Sequence, residues 1–455
     1  MRYRVLAAGG LLAYLTYINR LGFGVAAPDI KKDLSLGDEG VSYLAAGFMV
    51  AYGLCQMPGG LLGDRVGSRH LLTVLVLGWS LLSGLTALAA GIPRDQVLAV
   101  AGGVSLPLVY LLLLRFLFGL FQAAEFPSLS RVVGDWVPIQ ERGLAQGLLW
   151  TCSRLGGATV PFLFAGMLLL FGTWTTPFWI MAASGVLWCA FFWPWFRNRP
   201  NQMPGVTPEE CGLIAAGRDT KPVQPGPFPW RRFLGCGNVW ALCLMYVLAG
   251  FSGNFYTSML PLYLKDHRHL EGLALSTVTA LPLACGIVTC LLGGVISDRV
   301  VRGGGSRTWA RRVPGMIGTV GAGVLTLLIP YTGNVWLLGL VVGLAFAFSD
   351  LNMGPAWAAC VDIGERYAGT VSGAMNMAGA FAGALGAALA GRLLGDPNWL
   401  FFIFACSYVL AGLCWLLVDV SRPMMSGVEK QHAPPQDGGA AVEATVPEPA
   451  LLSRG

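Results

Sequence analysis

Stretches of about 20 apolar residues recur along the chain, each long enough to cross a bilayer as a helix. They fall near 5–27, 41–63, 70–91, 104–126, 142–171, 174–196, 234–264, 273–297, 313–331, 335–359, 368–394 and 398–419, twelve expected spans numbered here in chain order. A helix satisfies its own backbone polar groups where water is absent. Only 12% of the residues are charged, about half the share of a soluble domain. The first stretch follows Met-Arg-Tyr-Arg as a signal peptide's apolar core would, but it is too long and contains Arg20, so it is read as a span. The eleven cysteines are scattered without metal or redox spacing and are read as small buried apolar residues. The histidines, His70, His267, His269 and His432, fall in loops or the tail. No nucleophile–histidine–acid set, metal cluster or phosphate loop appears, so neither enzyme chemistry nor a cofactor or metal is expected.

Lysine and arginine set an expected orientation. With the N-terminus inside, 21 of the 30 lie in inner segments, six in outer loops and three (Arg20, Arg115 and Arg154) inside spans. The net charge of +6 then reports topology, and no basic helix or aromatic platform suggests nucleic-acid binding. The segment 197–232, rich in Pro, Gly and charge, divides the spans six and six. The expected organisation is a six-helix bundle at 1–196, a cytoplasmic linker at 197–232, a second bundle at 233–420 and a disordered cytoplasmic tail at 421–455. The halves repeat each other. GGLLGDRVGSR at 59–69 matches GGVISDRVVRGGGSR at 293–307, with Asp64 and Asp298 offset by 234. Pro28, Lys32 and Asp33 match Pro261, Lys265 and Asp266 at 233, and Glu141-Arg142 matches Glu365-Arg366 at 224. Two such halves predict an all-α membrane protein with a substrate site at midplane between them.

Charges inside spans are expensive, about 2.5–3.5 kcal/mol each on insertion scales, and usually face a polar interior. Arg20, Arg115, Glu125, Arg154 and Asp350 together carry a surplus of one positive charge, which suits one small anion. Arg20, midway along span 1, can grip a carboxylate with its fork or form a structural ion pair with Glu125. Glu125 is a candidate proton site or a structural partner for an arginine. Arg115 precedes it by about 15 Å along the helix, as an outer anion guide or a packing ion-pair partner. Arg154 is a second candidate anion contact, and Asp350 a candidate for proton handling or an acid satisfied by a neighbour. At an offset of 224, Asp350 falls opposite Phe126. Asp64, Arg65, Asp298 and Arg299, at the inner ends of helices, are expected gate elements bridging the halves. Tyr52, Tyr256 and Trp357 combine a flat face with a polar handle suited to a hydroxylated acid, or are core. Asn254 and Asn376 need partners that a cavity supplies.

The chain resembles the major facilitator superfamily through GDRVGSR after span 2 and its weaker copy after span 8. It is similar to that superfamily's anion:cation symporter branch, which includes sugar-acid and sialin-like carriers. The residues that carry this likeness are YINRLGFGVAAPDI (17–30), AYGLCQMPGGLLGDRVG (51–67), LRFLFGLFQAAEFPSLSRVVGDWVPIQERGLAQG (114–147), MLPLYL (259–264) and WAACVDIGERYAGTVSGAMN (357–376). The resemblance implies the major facilitator fold, Arg20 as an anion contact, Glu125 as the proton-coupling acid, and Tyr52, Trp357 and Asn376 as substrate-lining positions. Asn19 stands where relatives often carry an aspartate, and an amide cannot ionise. The expected function is proton-coupled symport of a small organic anion, a sugar acid or other carboxylate, by alternating access. The expected setting is a monomer in the cell membrane with both termini cytoplasmic, whose partners are the anion, protons and lipid. An exchanger or efflux carrier of another solute, or a receptor that binds without transport, are the alternatives.

Overall fold

The structure is a computed structural model that describes residues 1–93, 96–98, 104–216 and 227–425. Ten helical segments among the described residues are long and apolar enough to cross a bilayer; one of them, Val335–Leu393, holds two crossings. Arg2–Asp33, 32 residues long, supplies the twelfth span. At 1.5 Å per residue it measures about 48 Å, longer than the hydrocarbon core, so its charged ends stand beyond it. Spans 2 and 3 are Asp38–Val66 and Ser68–Ala87, and spans 5 and 6 are Arg142–Phe171 and Thr175–Trp195. Span 7 is Gly237–Ser258, followed after Met259 by the short helix Leu260–Asp266. Spans 8, 9, 11 and 12 are Gly272–Arg302, Arg307–Leu328, Ala368–Leu393 and Pro397–Cys414. In the connection before span 4, Val97–Leu98 pairs antiparallel with Val104–Ser105.

Two spans are broken alike. Span 4 runs Leu106–Ala123, pauses at Ala124 and resumes as Glu125–Trp136. Span 10 runs Val335–Leu351, pauses at Asn352 and resumes as Met353–Gly364. Proline explains both. Pro127 and Pro355 lack the N–H that the carbonyls of Ala123 and Leu351, four residues earlier, would accept. The breaks lie 228 residues apart, so Asp350 corresponds to Gln122 and not to Phe126. The offset of 224 fails here because the stretch from proline to the Glu-Arg pair is four residues shorter in the second half.

The packing repeats with the sequence. Spans 1 and 5, 2 and 4, and 3 and 6 pair in the first bundle; spans 7 and 11, 8 and 10, and 9 and 12 pair in the second. The bundles meet along two seams, span 2 against span 11 and span 8 against span 5. Glycine sets the closeness of both. A Cβ on Gly60 would lie 2.2 Å from the Gly369 carbonyl oxygen, and one on Gly294 would lie 2.2 Å from that of Gly143. Helices within a bilayer gain their contact energy from such close backbone approach, since lipid is as apolar as leucine.

Both seams lie toward the face on which the chain begins. There the N-terminal ammonium donates to Glu210 Oε1 (2.8 Å), on the helix Pro208–Ala215 of the segment between the bundles. Partial burial pushes the Glu210 carboxyl up, but hydrogen bonds from Arg2 N and the N-terminus outweigh it and hold the carboxyl below its usual range. Met424, at the start of the expected tail, is buried and donates its N–H to Ile363 O (2.9 Å). The remainder of that tail, 426–455, and residues 217–226 of the expected linker lie outside the described residues.

Candidate functional site

A polar cluster surrounds Arg20. Thr16 and Arg20 are four apart on span 1, as are Tyr52 and Gln56 on span 2, so each pair shares a helix face. Arg20 Nε donates to Gln122 Oε1 (3.0 Å) and Nη1 to the Tyr52 hydroxyl (3.3 Å). The guanidinium also lies over the Tyr52 ring at 4.4 Å and the Tyr17 ring at 5.0 Å. Its Nη2 is buried without a partner. Asn376, from span 11 in the other bundle, donates to the Tyr52 hydroxyl (3.3 Å) and to Gln56 Oε1. The Gln56 amide nitrogen is buried and unpartnered. Arg20 forms no ion pair among the described residues, and its hydrogen-bond partners are neutral.

Glu125 begins the second piece of span 4 and is fully buried. Its Oε1 is hydrogen-bonded to the Thr16 hydroxyl, which also donates to Leu12 O (2.9 Å); its Oε2 has no partner. Gln122 joins the two charges, accepting from Arg20 and donating Nε2 to Thr16 O (3.3 Å). Asn19 points elsewhere. Its amide donates to Leu15 O (2.9 Å) and accepts from the Ser83 hydroxyl of span 3 (3.0 Å), inside the first bundle. Beside Glu125 stands an aromatic wall. Phe126 stacks on Trp150 at 4.6 Å, and Trp150 meets Trp357 at 5.2 Å and Tyr17 at 6.3 Å. The Trp150–Trp357 contact carries the wall from the first bundle to the second, where Trp357 donates Nε1 to the Tyr246 hydroxyl (3.2 Å).

Arg154 and Asp350 are brought together. Nε donates to Oδ2 (2.6 Å) and Nη2 to Oδ1 (2.7 Å), a two-pronged ion pair between span 5 and span 10. Both are buried, and Trp150 and Phe346 flank the guanidinium at 5.4 and 5.2 Å. Arg115 stands apart. It is 4% exposed, forms no ion pair among the described residues, and lies over Phe23 (4.2 Å), Phe118 (4.7 Å) and Phe48 (5.2 Å). Asn254 donates to Gly383 O (3.0 Å) and Tyr256 shares a hydrogen bond with Thr326 Oγ1 (2.7 Å). Each contact lies within the second bundle, away from Arg20.

At the chain-start face, Asp64 of span 2 accepts from the backbone N–H groups of Gly369 (3.1 Å) and Thr370 (2.7 Å), opening span 11. Asp298 of span 8 accepts from Gly143 (3.0 Å) and Leu144 (2.6 Å), opening span 5. Each aspartate thus caps a helix of the opposite bundle, where the helix dipole and free N–H groups favour an anion. Arg65 and Arg299 are exposed, with no ion pair among the described residues. The arginines that hold this face are others. Arg311 is 1% exposed and reaches Asp298 (2.8 Å) and Asp362 (3.2 Å), while Arg142 reaches Asp362 (2.7 Å). Arg131 lies 3.9 Å from Asp64. In the sequence, Arg131, Arg142 and Arg311 look like ordinary topological charge, and Gln56 and Gln122 like stray amides. The four-residue spacing Tyr52/Gln56 is the signal that would have found Gln56, and the three-residue spacing to Glu125 the one for Gln122. Among the described residues no group of His, Cys, Asp and Glu has the geometry for a metal ion.

Comparison with known proteins follows the same lines. The chain is 28% identical to the "Probable sulfoacetate transporter" of Cupriavidus necator, over 95% of this chain and 98% of that one. It is 29% identical to the "Probable galactarate/D-glucarate transporter" of Escherichia coli strain K12, over 87% and 88%. The proton:xylose symporter solved with 6-bromo-6-deoxy-D-glucose shares the fold, with a TM-score of 0.70 and 15% identity over 92% of this chain and 96% of that one. The family model of the Major Facilitator Superfamily matches residues 7–387, and the chain belongs to that superfamily.

Proposed function

We propose that this transporter carries a small organic anion together with protons by alternating access, with Arg20 as the anion contact and Glu125 as the proton site. The observation that carries this reading is a guanidinium between the bundles with an unpartnered nitrogen and, among the described residues, no acid paired to it. Arg20 is partly buried, with one nitrogen fully enclosed and no counter-ion among the described residues; such a cation is costly to hold away from water, so a transient anion is the natural complement. Tyr52, Gln122 and Asn376 orient the fork without neutralising it. The Thr16 hydroxyl has one hydrogen. When it serves Leu12 O, the contact with Glu125 requires a proton on the carboxyl, which is the loaded state. Loss of that proton restores a counter-charge near Arg20 and weakens the anion's hold. The names of the relatives, sulfoacetate and galactarate/D-glucarate carriers, support an organic anion.

The moving bodies in this reading are 1–196 and 233–420, joined by 197–232. The protein works as a monomer in the cell membrane with both termini cytoplasmic, as the lysine and arginine bias supports. Uptake of labelled D-glucarate and sulfoacetate into proteoliposomes under an imposed pH gradient tests the coupling. Accumulation should follow the gradient, and indifference to it would refute the proton role. Arg20→Lys keeps the charge but loses the fork; uptake should fall at least about tenfold while the protein still folds.

A further inference from the structure

We propose that the substrate is a dianion, held at one acidic end by Arg20 and at the other by Arg154, which the substrate takes from Asp350. This rests on the anion-transport reading and departs from the single anionic charge that the sequence suggested. Three observations carry it. First, the two guanidiniums face one continuous wall: Arg20 lies 5.0 Å from the Tyr17 ring, Tyr17 6.3 Å from Trp150, and Trp150 5.4 Å from Arg154. The Tyr17 hydroxyl interacts electrostatically with both. Second, buried donors without partners flank that wall, namely Arg20 Nη2, Gln56 Nε2 and Trp150 Nε1. Leaving a buried donor unmade is expensive, and three together ask for a ligand rich in acceptor oxygens. Third, Asp350 grips Arg154 with the same two-pronged geometry that a substrate carboxylate or sulfonate would use. It is a built-in stand-in for the second acidic end.

Charge balance then dictates a consequence. Once Arg154 turns to the substrate, Asp350 is a buried acid without a cation. The groups that face it are Arg154 of span 5, Tyr17 of span 1, Cys290 of span 8 and Tyr408 of span 12. None of these but Arg154 is a cation, so Asp350 takes a proton as the dianion binds. Two protons, one on Glu125 and one on Asp350, accompany two negative charges, and the loaded site is neutral overall. The exchange also opens a contact between the bundles, since the Arg154–Asp350 pair joins span 5 to span 10.

The test is competition for labelled D-glucarate counterflow in proteoliposomes of the full chain, with matched pairs: D-glucarate against D-gluconate, and sulfoacetate against 2-hydroxyethanesulfonate. Each dianion should compete at least about tenfold better than its monoanion. Arg154→Gln should erase that preference. Asp350→Asn, which frees Arg154, should tighten dianion binding several-fold at pH 7 and remove one of the two protons carried per dianion. Equal competition by monoanions overturns the proposal while leaving anion transport standing, as does a folded Arg154→Gln protein that keeps the preference. Should Arg154→Gln fail to fold, unchanged or weaker dianion binding in Asp350→Asn overturns it. A protein that takes up no anion of either kind fails the broader reading as well.

Discussion

Single residues in this protein differ by what their charge is left facing. Arg20 faces neutral hydrogen-bond partners and a gap in its own bonding; Arg115 faces phenyl rings, with no ion pair among the described residues. Three rings within 5.2 Å of the Arg115 guanidinium offset part of its desolvation, at about 0.5–2 kcal/mol for each cation–π contact. Its Nε remains buried without a partner. Arg115→Met keeps the volume and removes the unpaired charge, so the melting temperature in detergent should rise by about 2–4 °C. Arg115→Ala should lower it, because the rings lose their packing. A fall with both variants would show that the charge itself stabilises the fold. Glu125 calls for a different measurement. Glu125→Gln keeps a donor toward Thr16 and cannot titrate. Counterflow of D-glucarate should persist, whereas accumulation driven by a pH gradient should fall by the share that one proton supplies; accumulation unchanged from the native protein would move that proton site elsewhere.

Helices were legible because lipid demands about 20 apolar residues per crossing, and this chain supplies them with little else. The expected spans and the observed helices differ mainly at their ends, where charged turns extend beyond the apolar run, as in Arg2–Asp33. What the runs could not reveal were the interruptions and the partners. The stretch from Pro355 to Glu365 is four residues shorter than that from Pro127 to Glu141, so a match anchored on Glu141 and Glu365 misplaced Asp350 by four residues. Arg311 sits where positive-inside charge is expected, which concealed its role inside the face-closing network. That network predicts unequal caps. Asp64 receives two backbone N–H groups, the Thr370 hydroxyl (2.7 Å) and a distant arginine; an amide oxygen still accepts there, so Asp64→Asn should cost about 1 kcal/mol of stability. Asp298 also holds Arg311 at 2.8 Å in a buried position. Asp298→Asn leaves that cation short of a partner and should cost about 3–5 kcal/mol. Thermal and denaturant melts of both variants decide the matter, and equal losses would mean that Arg311 relies on Asp362 alone.

Across the whole molecule, the same contacts recur twice with opposite ownership: span 2 caps and packs on span 11, span 8 on span 5. Under the alternating-access reading proposed above, a structure closed in this way on one face must open both seams for the other state, and opening one alone would leave the second as a brace. A native probe lies in one seam. Cys290 of span 8 is fully buried, and a Cβ on Gly147 would lie 2.5 Å from its carbonyl oxygen. In a variant with Cys290 as the sole cysteine, maleimide labelling therefore reports the open seam. Gly294→Ala puts a methyl 2.2 Å from Gly143 O, an overlap that overpacked interiors resist at about 1–3 kcal/mol. That penalty applies only while the seam is closed, so it shifts the population toward the open form by the same amount. Labelling of Cys290 should accelerate about tenfold, and Gly60→Ala in the other seam should accelerate it as well, because the bundles move as bodies. If Gly60→Ala leaves Cys290 labelling unchanged while Gly294→Ala raises it, the seams open independently and the rocking of two rigid halves is the wrong description of this transporter.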